Sequence, residues 1–329
     1  MTKKNVYITT TLPYANADPH IGHAFELAQA DAFARWQKLR GSDVFFNTGT
    51  DEHGIKIYEK ANEAGRTAQE HVDIYAGRFK ELIAALGVMP EVHFIRTTDP
   101  AHKKAAQAFW KKCEDGGDIY KKKYQGLYCV SDEVFLMEKD LVNGKCPNHQ
   151  NKELVTIEEE NYFFAFSKYQ KPLLALYEKH PDFVVPESRF NEIKKFVERG
   201  LEDFSISRLK EKMPWGVPVP EDSEHVMYVW FDALVNYIST IGWPDDMATF
   251  EKWWPVIQFA GKDNLGHQAA RWQAMLLSAG LPPSKQIMIH GFITIGGEKM
   301  SKSVGNVASP FDLIERYGTA AVRYYFLRE

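Results

Sequence analysis

The chain has little cysteine: three in 329 residues. Three scattered thiols (Cys113, Cys129, Cys146) make no disulfide framework, which excludes a stapled secreted scaffold and fits a reducing, cytoplasmic setting. No apolar run nears the length of a membrane-spanning helix, and the N-terminus lacks a leader pattern, so no membrane partner is expected. Positive charge is not in excess either. Forty Lys and Arg against 44 Asp and Glu give a net charge of −4, so no global basic field announces a nucleic-acid partner. Lys121-Lys122-Lys123 and Lys194-Lys195 leave room only for local patches. Internal repeats and low-complexity tracts are missing too, which excludes solenoids and arrays. What remains is an ordinary globular composition, 44% hydrophobic, with enough chain for a large core and two domains.

Two short strings stand out, His20-Ile21-Gly22-His23 and Lys299-Met300-Ser301-Lys302-Ser303. The first lies between a β-branched run, Val6 to Thr10, and a helical pattern with Phe25, Ala28, Ala32, Trp36 and Leu39 on one face. A helix N-terminus carries N–H groups without intrahelical partners and a partial positive charge, which suits a phosphate. Gly22 leaves room for a flat ring, and two imidazoles can donate to phosphate oxygens. The alternative is that both histidines merely cap the helix. The second string follows a strand-like run, Ile287 to Ile289, and sits among glycines that imply a mobile loop. Its two ammonium groups suit phosphates that move during reaction; the alternative is a solvated basic turn.

Strand-like and helix-like segments alternate to about residue 114 and resume after about 221, as expected of a parallel sheet interrupted by an insertion. The expected divisions are 1–114, 115–221, 222–290 and 291–329. Ligands of such sheets sit beyond the carboxyl ends of the strands, where both strings fall.

The pair of strings is that of the class I aminoacyl-tRNA synthetases, and the chain resembles them. Thr11-Leu12-Pro13-Tyr14-Ala15-Asn16, Thr48 to Gly54, Val229 to Ala233, Gly261-Lys262-Asp263 and His290-Gly291-Phe292 resemble the methionyl-tRNA synthetase family within that class, from residue 5 to the end. The resemblance implies an α/β, doubly wound, Rossmann-like (HUP-type) sheet split by a connective-polypeptide domain. It implies a ligase that joins L-methionine to ATP as methionyl-adenylate and passes methionine to the acceptor end of tRNA(Met), with Mg²⁺ accompanying ATP. His20, His23, Lys299 and Lys302 are then the catalytic groups. Gly22, Gly261, Asp263 (ribose), Ile293 (adenine edge) and Ser301 bind the nucleotide. Asp51 meets the substrate ammonium. Tyr14, Trp230, Ala233, Tyr237 and Trp272 form the methionine slot, with Leu12 at its entry. Many relatives place a histidine where this chain has Gln268, so the sulfur contact falls to Tyr237 first and Gln268 second, and His267 stays unassigned. For most of these residues a bland reading exists beside the sharp one: an N-cap for Asp263, a turn for Asp51, plain core for the aromatics.

Cys129-x-x-Asp132 and Cys146-x-x-His149 depart from the family's zinc spacing, because Asp132 stands where a thiolate is usual. A Zn²⁺ site and a metal-free knuckle held by packing both stay open. Arg208 is read as meeting the tRNA acceptor end or forming a surface salt bridge. The family continues into a stem-contact region and a helical anticodon-binding domain, so the chain reads as a catalytic portion with weak anticodon recognition, and as a monomer. A related synthetase for another amino acid, and a non-catalytic paralogue that binds tRNA or methionine, are the competing readings. The Leu12-to-Asn16 string argues against the first, and the intact histidines and lysines argue against the second.

Overall fold

The structure is a computed structural model that describes residues 4–131, 134–136, 141–147, 149–295, 298–299 and 308–328. In chain order come β1 (Asn5–Thr9), α1 (Ile21–Leu39), β2 (Asp43–Thr50), α2 (Ile55–Glu63), α3 (Ala68–Ala85), β3 (His93–Arg96) and α4 (Pro100–Asp115). The inserted stretch brings β4 (Ile119–Cys129), β5 (Val134–Leu136), β6 (Val155–Phe164), α5 (Gln170–Lys179), β7 (Val184–Val185), α6 (Glu187–Glu198), β8 (Phe204–Ser205) and β9 (Ser207–Leu209). Then follow β10 (Pro218–Val219), β11 (Asp222–Met227), α7 (Val229–Leu234), α8 (Asn236–Ser239), α9 (Met247–Trp253) and β12 (Val256–Gly261). A π-helical turn, His267–Arg271, runs into α10 (Trp272–Ser278) before β13 (Gln286–His290). The last elements are β14 (Thr294–Ile295), β15 (Glu298–Lys299), α11 (Pro310–Tyr317) and α12 (Thr319–Arg328).

Six parallel strands form the central sheet in the order β3-β2-β1-β12-β13-β7. β1, β2 and β3 follow one another outward in one direction and β12 and β13 in the other, with β7 of the inserted stretch at the far edge, so the order reverses between β1 and β12. That reversal opens a crevice at the carboxyl ends of these two strands. Both faces of the sheet are covered, and the side chains alternate as a pleat demands. Tyr7, Val256 and Ala260 point into one core with α4 and α10; Val6, Ile8, Ile257 and Phe259 point into another with α1 and α12.

The inserted stretch builds an antiparallel sheet, β5-β4-β6-β8. It is not segregated from the central one. Val184 and Val185 pair with Ile287 and Met288 as the edge strand, and Leu173, Tyr177, Phe183, Ile193 and Val197 share the core of Val256 and Ile287.

One local expectation fails. The apolar face read onto α1 is only half right: Phe25 and Ala28 are buried, but Trp36 and Leu39 are 46% and 88% exposed. The face that packs runs through Ile21, Ala24, Phe25, Leu27, Ala28 and Ala34; the last turn lies past it, and the Arg40 guanidinium covers Trp36 at 4.7 Å. The last helix is tied to the first half of the chain. In α12, Thr319 Oγ1 donates to the Ala85 carbonyl at 3.0 Å and Arg323 Nη1 to that of Leu86 at 3.1 Å. Asp31, fully buried in α1, accepts from Arg323, from Arg35 Nε at 2.8 Å and from the Met89 amide at 2.8 Å.

Candidate active site

The crevice at the reversal is a cavity of about 470 Å³, lined from the carboxyl ends of β1, β2, β12 and β13, the start of α1, and α7. His20, Gly22, His23, Gly261, Asp263, Ile293, Leu12, Tyr14, Asp51, Trp230, Ala233, Tyr237 and Gln268 all line it. Residues far apart in sequence are thus brought to one space. Lys302, Ser301 and Asp132 lie outside the described residues, as does the loop read as mobile around them. Lys299 is the last residue of β15, paired with Thr294.

The start of α1 differs from the expected anion grip. His20 is the N-cap, and its Nδ1 accepts from the Gly22 amide at 3.1 Å. The His23 Nδ1 accepts from the His20 amide at 3.2 Å. The Ile21 amide donates to the Ala308 carbonyl at 3.2 Å and the His23 amide to the His20 carbonyl at 3.0 Å. All four N–H groups that a helix start leaves over are therefore taken, and none remains for a ligand. The flat ring that Gly22 admits is that of His20 itself: a Cβ there would meet the imidazole at 3.0 Å. The two rings stack at 3.7 Å. Because each Nδ1 accepts, each neutral ring carries its proton on Nε2 and is a donor there. The capping and ligand readings are thus not rivals. The cap fixes the tautomer that makes each ring a donor.

Glu26 and His290 have no role in the sequence reading, yet they join the two halves of the cavity. Glu26 Oε1 accepts from the Thr11 amide at 2.7 Å and from Thr11 Oγ1 at 2.6 Å. Its Oε2 meets His290 Nε2 at 3.0 Å, while His290 Nδ1 meets the Gly291 carbonyl at 2.8 Å. Burial works against a charge on His290, but the Glu26 carboxylate and the Gly291 carbonyl outweigh it and hold its pKa above the ordinary value. An imidazole facing two acceptors satisfies both only as imidazolium. A helix glutamate reads as solvated surface, and its partner is 264 residues away, so no local pattern carried this pair.

Asp51 is anchored by backbone: its amide donates to the Pro13 carbonyl at 2.9 Å and its carbonyl accepts from the Ala15 amide at 2.8 Å. This lays the Tyr14 segment alongside Asp51. Asp263 follows the end of β12 on a single 3₁₀ turn whose N-cap is Gly261, with no side-chain cap. A Cβ at Gly261 would meet the Asp263 carboxylate at 2.9 Å, so glycine lets this carboxylate fold back beside the sheet.

On the α7 side, Tyr237 is buried and its hydroxyl accepts from Gln268 Nε2 at 2.8 Å. Gln268 is itself set by Gln258, which donates to Oε1 at 2.9 Å. With its lone pair occupied, the Tyr237 proton is available as a donor toward the cavity. Trp272 does not line the cavity. It is fully buried, packing on Tyr237 and Phe109 with ring centroids 5.9 and 5.4 Å away, so it backs the wall and does not form it. His267, left unassigned by the sequence, stacks on Trp230 at 3.8 Å and 10°. Burial and then the Arg271 guanidinium push its pKa well below the ordinary value, so it stacks as a neutral ring.

Arg208 is not a surface residue. It is buried, donating to Ser205 Oγ at 2.9 Å and the Ser207 carbonyl at 2.7 Å, with its guanidinium 4.2 Å over the Tyr228 ring. At the knuckle, the ligand atoms of Cys129, Cys146 and His149 lie within 4.8 Å of one another, each Sγ being 3.8 Å from His149 Nδ1. Two thiols and an imidazole at this separation fit a tetrahedral zinc ion.

A doubly wound sheet with an insertion, and a cavity built from histidines at a helix start, is the arrangement of the class I aminoacyl-tRNA synthetases. A family model described as tRNA synthetases class I (M) matches residues 6–158 and 149–329, and the chain belongs to that family. Methionine–tRNA ligases of Nostoc sp. and Mesorhizobium japonicum are each 47% identical over 99% and 100% of this chain. The chain spans 62% and 64% of those proteins. A solved Mycobacterium tuberculosis methionyl-tRNA synthetase in complex with methionyl-adenylate superposes with a TM-score of 0.93 at 42% identity, over 99% of this chain and 64% of that one. Its apo form gives 0.83 at 37% identity, over 100% of this chain and 62% of that one. Among the described residues no helix is long and apolar enough to cross a membrane.

Proposed function

We propose that the cavity activates L-methionine with ATP, giving methionyl-adenylate and pyrophosphate, and delivers methionine to the terminal adenosine of tRNA(Met) in the cytoplasm. The observation that supports this most is the joint placement of His20, His23, Asp51, Asp263 and Tyr237 around one cavity, together with the class I (M) family match. The methionine carboxylate is already a nucleophile, so attack on the α-phosphorus needs positioning and charge stabilisation more than proton transfer. The two Nε2–H donors serve the phosphates, with Lys299 and Lys302 completing the grip from the other side. Mg²⁺, carried in on the phosphates, neutralises their charge when bound. Asp263 accepts from the ribose hydroxyls, and Gly22, Gly261, Ile293 and Ser301 complete the nucleotide side. Asp51 pairs with the substrate ammonium, a charge-assisted bond of the stronger kind. Leu12, Tyr14, Trp230 and Ala233 enclose the side chain, and the Tyr237 hydroxyl, oriented by Gln268, donates to the thioether sulfur. Trp272 supports this wall from behind. Cys129, Cys146 and His149 would hold a structural zinc, the sequence offering Asp132 as a further ligand, and residues 115–221 act as the connective insertion.

Amino-acid-dependent ATP–pyrophosphate exchange across the twenty amino acids tests the reading. Methionine alone gives signal if it holds. Exchange with another amino acid identifies a related synthetase, and none at all identifies a binding protein. Replacing Lys302 with alanine slows methionine-dependent exchange by about a hundredfold or more, as for loss of one transition-state donor; a near-normal rate removes it from the mechanism.

A further inference from the structure

Asp232 sits in α7 between two residues that line the cavity, Trp230 and Ala233, yet it faces the core and is fully buried. Its Oδ2 accepts from His53 Nδ1 at 3.0 Å. Its Oδ1 faces His102 Nε2 at 3.6 Å, beyond hydrogen-bond reach, and neither of these atoms has another hydrogen-bond partner among the described residues. The His102 ring is held from its other side by Ser239 Oγ, 3.0 Å from Nδ1. His53 follows Asp51 by two residues, after β2, while His102 belongs to α4. One carboxylate thus bonds α7 to the segment after β2 and lies in ion-pair range of α4.

A buried carboxylate is a poor choice for stability alone, since apolar side chains of similar volume often serve as well or better. Burial pushes the Asp232 pKa up and the two imidazoles pull it down, and the imidazoles win, so the group is charged. Helix α7 has six residues and no side-chain cap; Phe231 and Leu234 pack it into the core, and Asp232 adds a directional polar bond that apolar packing lacks. The direction of α7 decides where Trp230 and Ala233 stand.

We infer that Asp232 is a positioning residue for the methionine-binding wall: through His53 and His102 it fixes α7, and with it Trp230 and Ala233, relative to Asp51. This rests on the reading of the cavity as a methionine and ATP site. The nucleotide side has its own tie in Glu26 and His290, so the two subsites are held by different buried pairs. Loss of the Asp232 tie therefore acts on one substrate and spares the other.

The test is ATP–pyrophosphate exchange with separate titrations of methionine and ATP for wild type, Asp232→Asn, His53→Gln and the double variant, with thermal melts to confirm folding. Asp232→Asn and His53→Gln each raise KM for methionine about tenfold, in line with loss of an orienting partner behind a binding group. KM for ATP stays within about twofold, and the double variant is no worse than the worse single one, as for groups that act as a unit. If Asp232→Asn does not fold, His53→Gln and His102→Asn carry the same comparison. An unchanged KM for methionine in folded variants overturns the inference, as does a parallel rise for both substrates, or a fall in kcat alone. Absence of methionine-dependent exchange in wild type overturns the underlying reading and this inference with it, and that result is distinct from the others.

Discussion

At the scale of the residue, His20 caps α1 and is proposed to donate to phosphate, two roles that one substitution can separate. Asparagine is as good an N-cap as any residue but has no Nε2–H to offer at the reach of an imidazole. His20→Asn therefore keeps stability within about 0.5 kcal/mol, whereas His20→Ala loses about 1 kcal/mol of capping. Both variants slow exchange to a similar degree. Urea unfolding alongside the exchange assay checks this, and full activity in the asparagine variant reduces His20 to a cap. The Glu26–His290 pair makes a pH prediction whose sign is fixed. The folded pKa of His290 is raised, so its contribution to stability is complete below the ordinary histidine value of about 6.5 and is lost as pH rises through the folded value. Wild type accordingly exceeds Glu26→Gln in stability at pH 6, and the gap narrows on going to pH 9. A gap that widens with pH contradicts the imidazolium assignment.

At the scale of the element, α12 is bound to α1 through Asp31, and the bond is not a surface one. Asp31→Ala strands the Met89 amide and the Arg323 guanidinium and costs about 3 kcal/mol, the usual order for breaking a buried pair. Arg323→Ala costs less, since Arg35 still pairs with the carboxylate. Denaturant unfolding of both variants reads this order directly. Elements were also the scale most legible in the sequence. The strand-like runs Val6 to Thr10 and Ile287 to Ile289 both fall on central strands, because a parallel sheet covered on both faces demands apolar runs. Depth was much less legible. Trp36 and Leu39 fit a helical stripe but lie past the packed face, and Trp272 falls at a pocket position but stands one layer behind it. A periodic pattern tells which side chains share a face and not how far the neighbouring layer reaches. The partnerships of Glu26, His290, Asp232, His53 and His102 were illegible for another reason, although His53, Asp232 and His290 lie in strings that carry the family resemblance. Each partnership spans dozens to hundreds of residues, and a lone helix glutamate or histidine carries no sign of it.

At the scale of the whole molecule, ligand and metal act on different parts. Methionine and ATP bound in the crevice between β1 and β12, as proposed, would stabilise the central sheet by mass action, by about 2.7 kcal/mol at a hundred times Kd. Zinc at the proposed site would hold the knuckle alone. Protein purified without chelator should carry about one zinc per chain if the three clustered ligands bind it, and stripping the metal should disturb the inserted sheet with little change in either KM. Less than a tenth of an equivalent excludes a tight site.

The pairing of Val184 and Val185 with β13 has a consequence for any attempt to shorten the chain. The inserted stretch looks like a cassette that could be cut out at 115 and 221 and replaced by a short bridge. Excision at those points would strip β13 of its outer neighbour and leave a row of unpaired backbone groups along an apolar strand, the usual template for sheet-to-sheet aggregation. A cut confined to the tip of the β4–β6 sheet spares that edge. The smallest soluble version of this catalytic core should therefore still contain α5, β7 and α6.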